Sequence, residues 1–189
     1  MRLNRIAAVA GLVLLPSLAQ AHVGFHADGL GAGLSHPFSG LDHLLAMIAV
    51  GVWAAHLGGR ARLAVPLAFV VVLALGAVLG AQGLALPAVE TAIAASVAVL
   101  GLMIAFEVKV PAAAAAALVG AFALFHGQTH GAEMPALSNP LAYGLGFVAG
   151  AIALHGLGFG LGMLKASRLA SRLAGGAVAA AGLALAFVG

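Results

Sequence analysis

The stretch His36-Pro37-Phe38-Ser39-Gly40-Leu41-Asp42-His43 runs directly into the apolar segment LLAMIAVGVWAA at residues 44–55. An apolar run of this kind is typical of a membrane helix, yet its head carries two imidazoles and a carboxylate. An ionised side chain at mid-bilayer costs roughly 2.5–3.5 kcal/mol on insertion scales, so such residues are usually kept for function. The stretch therefore predicts a membrane helix with a functional site at one end.

The composition of the whole chain places this helix in a membrane bundle. The sequence is 63% hydrophobic and 7% charged, with 27 glycines in 189 residues. Its mean hydropathy is +1.17. Small residues allow membrane helices to approach closely. The few scattered basic residues argue against a nucleic-acid surface, and the absence of cysteine excludes disulfides and thiolate metal sites.

Residues 1–21 are predicted to be a cleaved signal peptide. Arg2 and Arg5 form its basic region, residues 6–15 its apolar core, and Ala19-Gln20-Ala21 its cleavage site. The alternative is an uncleaved first helix. With cleavage after Ala21, the mature chain would begin at His22.

The rest of the chain, residues 22–189, predicts one all-α domain of six transmembrane helices. Its apolar runs have the length that a bilayer demands. We place the spans approximately at 39–57, 62–82, 88–106, 112–127, 140–164 and 169–188.

The basic residues predict the orientation of these spans. All those of the predicted mature chain fall in loops, or next to loops, on one side of the bundle: Arg60, Arg62, Lys109, Lys165, Arg168 and Arg172. The positive-inside rule makes that side cytoplasmic. We therefore expect a bacterial inner-membrane protein with a periplasmic mature N-terminus.

The first candidate site lies at the outer end of span one. Pro37 suits a first helical position, which would put Asp42 and His43 about two turns into the helix. Carboxylate and imidazole could then converge on one metal ion, or the carboxylate could orient the ring. The alternative is a helix cap with a structural Asp–His pair.

The second candidate site is the stretch FHGQTHGAEMP at residues 125–135. His126, His130 and Glu133 are spaced i, i+4, i+7, which is one face of a helix if the helix continues through them. Glycines and a proline leave that continuity open. Two imidazoles and a carboxylate suit a borderline divalent cation such as Ni²⁺, Co²⁺, Zn²⁺ or Cu²⁺. The alternative is a polar loop that is rich in histidine by chance.

Further histidines extend the list of candidate metal ligands. His155 lies in span five, deeper than Asp42, and would serve as a separate station or form an interhelical hydrogen bond. His22 and His26 belong to a glycine-rich segment that we expect to be a flexible capture arm or a disordered end. His56, at the inner end of span one, is expected to be an interfacial residue.

At this point the residues suggest a family. HPFSGLDHLLAMIAVGVWA at residues 36–54 resembles the first-span signature of the HupE/UreJ family of bacterial nickel and cobalt permeases, H-P-x-x-G-x-D-H-x-x-A-M-x-x-V-G-x-x-A. FHGQTHGAE at residues 125–133 resembles that family's second signature, F-H-G-x-x-H-G-x-E. By position, the resemblance implies metal handling by two sets of residues: His36, Asp42 and His43, and His126, His130 and Glu133.

We expect secondary import of a divalent transition metal, with Ni²⁺ preferred, Co²⁺ next and Zn²⁺ as a further candidate. No permanently bound cofactor, catalytic activity or nucleic-acid partner is expected, and the partners are the ion and the lipid bilayer. The glycine-rich face from Gly144 to Gly162 would suit internal packing or a seam between two copies. The alternatives are a metal-binding accessory or sensor protein and an integral-membrane metalloenzyme, although the chain has no H-E-x-x-H motif.

Overall fold

The apolar runs fold into helices, because inside a lipid bilayer each backbone polar group must find its partner within its own segment. The computed structural model of the protein describes residues 29–134, 138–164 and 167–188, and these form helices and no strand. A 3₁₀ turn, His36–Phe38, separates the first two helices. In chain order the helices are α1 (Gly29–Ser35), α2 (Leu41–Leu57), α3 (Ala61–Ala81), α4 (Val89–Ala105), α5 (Ala112–Ala132), α6 (Pro140–Met163) and α7 (Arg168–Val188).

Four of these helices are long and apolar enough to cross a membrane, namely α3, α5, α6 and α7. A fifth span results if Gly29–Phe38 and α2 are taken together as one bent segment. Helix α4 is apolar but has 17 residues. The described residues thus support an all-helical membrane architecture, while six spans stay a prediction and the predicted signal peptide at 1–21 lies outside the described residues.

The start of the first span differs from the sequence prediction. Pro37 lies in the 3₁₀ turn, and α2 begins only at Leu41, at an angle of 78° to the preceding helical segment. Asp42 is therefore in the first turn of α2, not two turns in. The glycine-rich residues 29–35, expected to be part of a flexible arm, form α1 because buried Gly29 and Gly33 let that helix lie directly against α6.

Helix α2 occupies the centre of the bundle and packs against α6, α4 and α3. Its side chains Met47, Val50 and Trp53 are fully buried. Phe69 and Leu73 of α3 are also fully buried and belong to the same hydrophobic core. Outside this core many large apolar side chains remain exposed, such as Leu63, Leu141 and Phe187, as expected for a surface that faces lipid rather than water.

Glycines bring several helix pairs into backbone contact. A Cβ atom on Gly127 or Gly131 of α5 would collide with carbonyl oxygens of α3, and one on Gly80 of α3 would collide with Gln128 of α5. Gly158 of α6 meets the backbone of α2 in the same way. The glycine-rich face of α6 is thus used for internal packing at Gly158, whereas the space around Gly144 is open.

Candidate metal site

The outer group consists of His36, His130 and Glu133, which come from two parts of the chain, the 3₁₀ turn before α2 and the C-terminal end of α5. One ligand atom of each residue lies within 4.8 Å of one ligand atom of both others. His36 Nε2 and Glu133 Oε2 are 3.2 Å apart. Among the described residues, this is the group of three or more candidate ligands that is compact enough to hold one ion.

Asp42 and His43 form a pair next to the outer group, at the N-terminus of α2. The ring Nδ1–H of His43 donates to Asp42 Oδ1 at 2.8 Å, and the backbone N–H of His43 donates to the same oxygen at 2.8 Å. A carboxylate that takes the proton of Nδ1 leaves Nε2 with its lone pair, which is how metal-binding histidines are commonly oriented. The carboxylate therefore orients the ring.

The imidazoles of the two motifs meet in a continuous row. The ring centroids lie 4.7 Å apart for His36 and His130, 4.0 Å for His130 and His43, and 4.7 Å for His43 and His126. The row leads from half-exposed His36 to fully buried His126. The sequence separates these residues by up to 94 positions, and the fold makes them neighbours.

Five nitrogen atoms in or near this row are buried and have no hydrogen-bond partner. They are His43 Nε2, His126 Nδ1, both ring nitrogens of His130, and His155 Nε2. Leaving a buried polar group unpaired costs about 1–3 kcal/mol, so buried polar groups almost always have partners. Several unpaired imidazole nitrogens in one bundle indicate a site arranged for a ligand.

The repeated His–Gly pairs explain how α5 presents its histidines. The helix runs without interruption through Gly127 and Gly131 to Ala132, beyond the predicted end at 127, and Glu133 follows as its C-cap. Because Gly127 and Gly131 lie against α3, the neighbouring His126 and His130 point into the bundle, where both are buried. The continuity of the second motif, left open by the sequence, is thus established.

His126 and His155 lie further along the bundle and have separate partners. His126 Nε2 is 2.8 Å from Ser96 Oγ of α4. His155 Nδ1 donates to the Ala151 carbonyl of its own helix at 2.7 Å, so the interhelical hydrogen bond, one of the two roles considered for His155, is absent from its described contacts. The ring of Phe69 is a neighbour of both, with centroid distances of 5.9 Å to His126 and 5.0 Å to His155.

Sequence reasoning identified most of this cluster and missed two members. It did not single out Ser96 or Phe69, and the only signal was a hydroxyl within an apolar span for Ser96. His155 lies outside the outer group, as its greater depth suggested. His22 and His26 lie outside the described residues.

Comparisons with known proteins identify the family of the chain. The family model described as HupE / UreJ protein matches residues 10–185. The chain is 57% identical over 188 residues to Protein HupE of Rhizobium leguminosarum bv. viciae, which covers 98% of each chain. No solved structure matches. The chain belongs to the HupE/UreJ family, a transporter and accessory family associated with nickel and cobalt transport rather than an enzyme family.

Proposed function

We propose that this member of the HupE/UreJ family is a secondary permease that imports a divalent transition metal, with Ni²⁺ as the first candidate and Co²⁺ or Zn²⁺ as the alternatives. One observation carries the proposal. A compact group of two imidazoles and a carboxylate continues into a row of buried imidazoles, each of which has at least one nitrogen without a hydrogen-bond partner. A closed structural site would end at its ligands, whereas a row of ligands offers successive positions to a moving ion.

The outer group has the chemistry of a capture site. Imidazole nitrogens suit borderline divalent cations, and a carboxylate adds negative charge without the softness of a thiolate. Glu133 is exposed, so it would meet the hydrated ion first, while His36 and His130 would replace water in its shell. Conduction requires binding that is weak enough to release, and a few neutral imidazoles satisfy this better than a cage of carboxylates.

The buried row provides the next positions for the ion. Asp42 would supply negative charge beside His43 as the ion leaves water, and His43 Nε2 and His126 Nδ1 would supply nitrogen ligands. His155 would offer a further nitrogen past Phe69. Each of these atoms is buried and unpaired, and a bound cation would remove that penalty.

The proposed direction of transport rests on the charge distribution. Lys109 donates a hydrogen bond to the carbonyl of His56, which lies at the end of α2 opposite Asp42. The bundle therefore has a basic residue at one end of α2 and the histidine row at the other. We assign the basic end to the cytoplasm, which puts the site on the periplasmic side of the inner membrane. Cleavage after Ala21 and a capture role for His22 and His26 belong to the same proposal.

The test is uptake of radiolabelled Ni²⁺ into proteoliposomes. Wild type is compared with Asp42→Asn and His43→Ala, with Co²⁺ and Zn²⁺ as competitors. The matched control is Glu107→Gln, which changes a carboxylate after α4, away from the histidine row. We expect the wild type and the control to fill the vesicles and both site variants to fail while remaining folded.

Two outcomes would contradict the proposal. A wild-type protein that binds Ni²⁺ but leaves the lumen empty would be an accessory or sensor protein. Equal loss of uptake in Glu107→Gln and Asp42→Asn would show that the loss is not specific to the histidine row, and the proposal would lose its support. The competition then ranks the metals for whichever variants transport.

A further inference from the structure

Ser96 is a buried hydroxyl in the otherwise apolar middle of α4, in contact with the histidine row. It is 0% exposed, and its Oγ lies 2.7 Å from the carbonyl oxygen of Ile93 and 2.8 Å from His126 Nε2. Neither HupE/UreJ signature includes it. Because it lies within hydrogen-bond distance of His126, this buried hydroxyl can determine which ring nitrogen of His126 carries the proton.

The hydrogen count of this small network determines the state of the imidazole. A serine hydroxyl has one hydrogen to donate and lone pairs to accept. The Ile93 carbonyl can only accept, so at 2.7 Å the hydroxyl hydrogen of Ser96 points to it. Ser96 Oγ must then accept from His126, which places the proton of the neutral ring on Nε2.

The other nitrogen of the ring is left as the free ligand. In neutral imidazole the second nitrogen carries the lone pair, and His126 Nδ1 is buried without a partner. The two nitrogens lie on different flanks of the ring, so Nδ1 faces away from Ser96. His43, whose ring centroid is 4.7 Å from that of His126, is held the opposite way, with Nδ1 bonded to Asp42 and Nε2 free.

We propose that Ser96 is a positioning residue that fixes the tautomer of His126, so that Nδ1 is presented to the transported ion. The neighbouring rings then offer different nitrogens, His43 through Nε2 and His126 through Nδ1, each fixed by its own hydrogen-bond partner. This inference rests on the proposed transport function. Ser96 itself does not touch the ion.

The experiment combines ¹⁵N NMR of histidine-labelled protein with Ni²⁺ uptake. The variants are Ser96→Ala, which removes the acceptor, and Ser96→Thr, which keeps a hydroxyl. His126→Gln identifies the His126 signals, and Val97→Ala controls for packing loss in the same helix, because Val97 is also fully buried. Spectra are recorded without metal at a pH at which the imidazole is neutral.

We expect the wild-type His126 to show an unprotonated Nδ1 and a protonated Nε2. In Ser96→Ala a population with the proton on Nδ1 should appear, and the KM for Ni²⁺ should rise by roughly tenfold, the lower end of the effect of losing a ligand-orienting partner. Ser96→Thr should restore both readouts. Val97→Ala should change neither the tautomer nor the KM.

Three outcomes would overturn the inference. An unchanged His126 tautomer in Ser96→Ala would remove the positioning role, and a changed tautomer with an unchanged KM would mean that Nδ1 is not a ligand. An equal rise of KM in Val97→Ala would assign the effect to packing. If the wild type does not transport Ni²⁺, the proposed function fails, while the nitrogen spectra still decide whether Ser96 sets the tautomer.

Discussion

Helix α2 carries a histidine near each end, and the two differ in burial and in hydrogen-bond partners. His43 is 6% exposed, is bonded to Asp42, and contacts the rings of His126 and His130. His56 is half-buried, and the hydrogen bond described for it goes from Lys109 to its backbone carbonyl rather than to its ring. The same residue type on the same helix is thus placed in a site at one end and at a helix terminus at the other.

The comparison teaches that the surroundings, not the imidazole, make a candidate ligand. His43 has a carboxylate that fixes one nitrogen and a second nitrogen that is buried and unpaired. His56 has a cation nearby in Lys109, which would repel a divalent metal ion. Histidine counts alone would have given the two positions equal weight.

After the complete loss of uptake expected in Asp42→Asn and His43→Ala, the largest effect is expected from a double-mutant cycle on the outer group. His36→Ala removes a ligand atom and Glu133→Gln removes the negative charge of the carboxylate, and uptake of Ni²⁺ should fall roughly 10–100-fold in each variant, at least the cost of losing a ligand's partner. If both residues hold the same ion, the uptake rate of the double variant should be only slightly below that of the slower single variant. The reason is that the effects of mutations at residues in contact do not add. The measurement is initial uptake rate in proteoliposomes at equal protein content.

Additive losses of uptake in the double variant would contradict this prediction. They would mean that His36 and Glu133 act at separate steps, despite the 3.2 Å between their ligand atoms. A cycle of His36→Ala with Glu107→Gln provides the reference for additivity, since Glu107 lies in the loop after α4.

The next effect concerns the backbone contact that aims His126 and His130. In Gly131→Ala the new methyl group would collide with the Ala77 carbonyl of α3, and overpacking of this kind typically costs about 1–3 kcal/mol. Gly160→Ala is the matched control, because nothing lies within 4 Å of that position and alanine favours helix. Thermal unfolding in detergent should show a lower midpoint for the first variant only. Equal midpoints would mean that α3 and α5 are not in close contact.

Much of the fold could be predicted from the sequence, because apolar runs of bilayer length define helices by themselves. The predicted run at 62–82 became Ala61–Ala81, and that at 140–164 became Pro140–Met163. The bend before α2 could not be predicted. It depends on α1 lying against α6 through Gly33 and Gly146, which is a tertiary contact without a local signal.

The candidate site could be predicted residue by residue but not as a geometry. The motif spacing indicated His126, His130 and Glu133, and the structure joins the last two with His36. Nothing in the sequence indicated that His126 would stand apart from that trio and bond to Ser96 instead. Which histidines share an ion depends on how the helices pack, and this packing cannot be read from the spacing of residues along one helix.

A smaller effect is expected at Gly40, the residue that precedes α2. Its φ of −104° and ψ of 129° suit any residue, so Gly40→Ala strains no backbone angle. Its new Cβ would come within 2.6 Å of Asp42 Oδ1 and 3.0 Å of His43 Nδ1, which must displace the pair. We expect uptake to fall several-fold, up to about tenfold, with the unfolding midpoint unchanged.

The matched control for this variant is Ser39→Ala, at the exposed neighbouring position. Ser39 Oγ donates to the His36 carbonyl and touches neither member of the pair, so its loss should leave uptake within about twofold of wild type. Full activity in Gly40→Ala would mean that the bond between Asp42 and His43 does not matter for uptake.

The smallest effect is expected from His56→Ala, and it tests the comparison most directly. An exposed or half-exposed side chain without described ring partners should change stability by no more than about 0.5 kcal/mol, and uptake should stay within about twofold of wild type. His43→Ala removes the same side chain from the same helix and is expected to abolish uptake. The contrast between the two variants therefore tests the surroundings of the ring. A severe loss in His56→Ala would place a transport step at the basic end of α2 as well, and the difference between the two histidines would then be one of order along the path rather than of function.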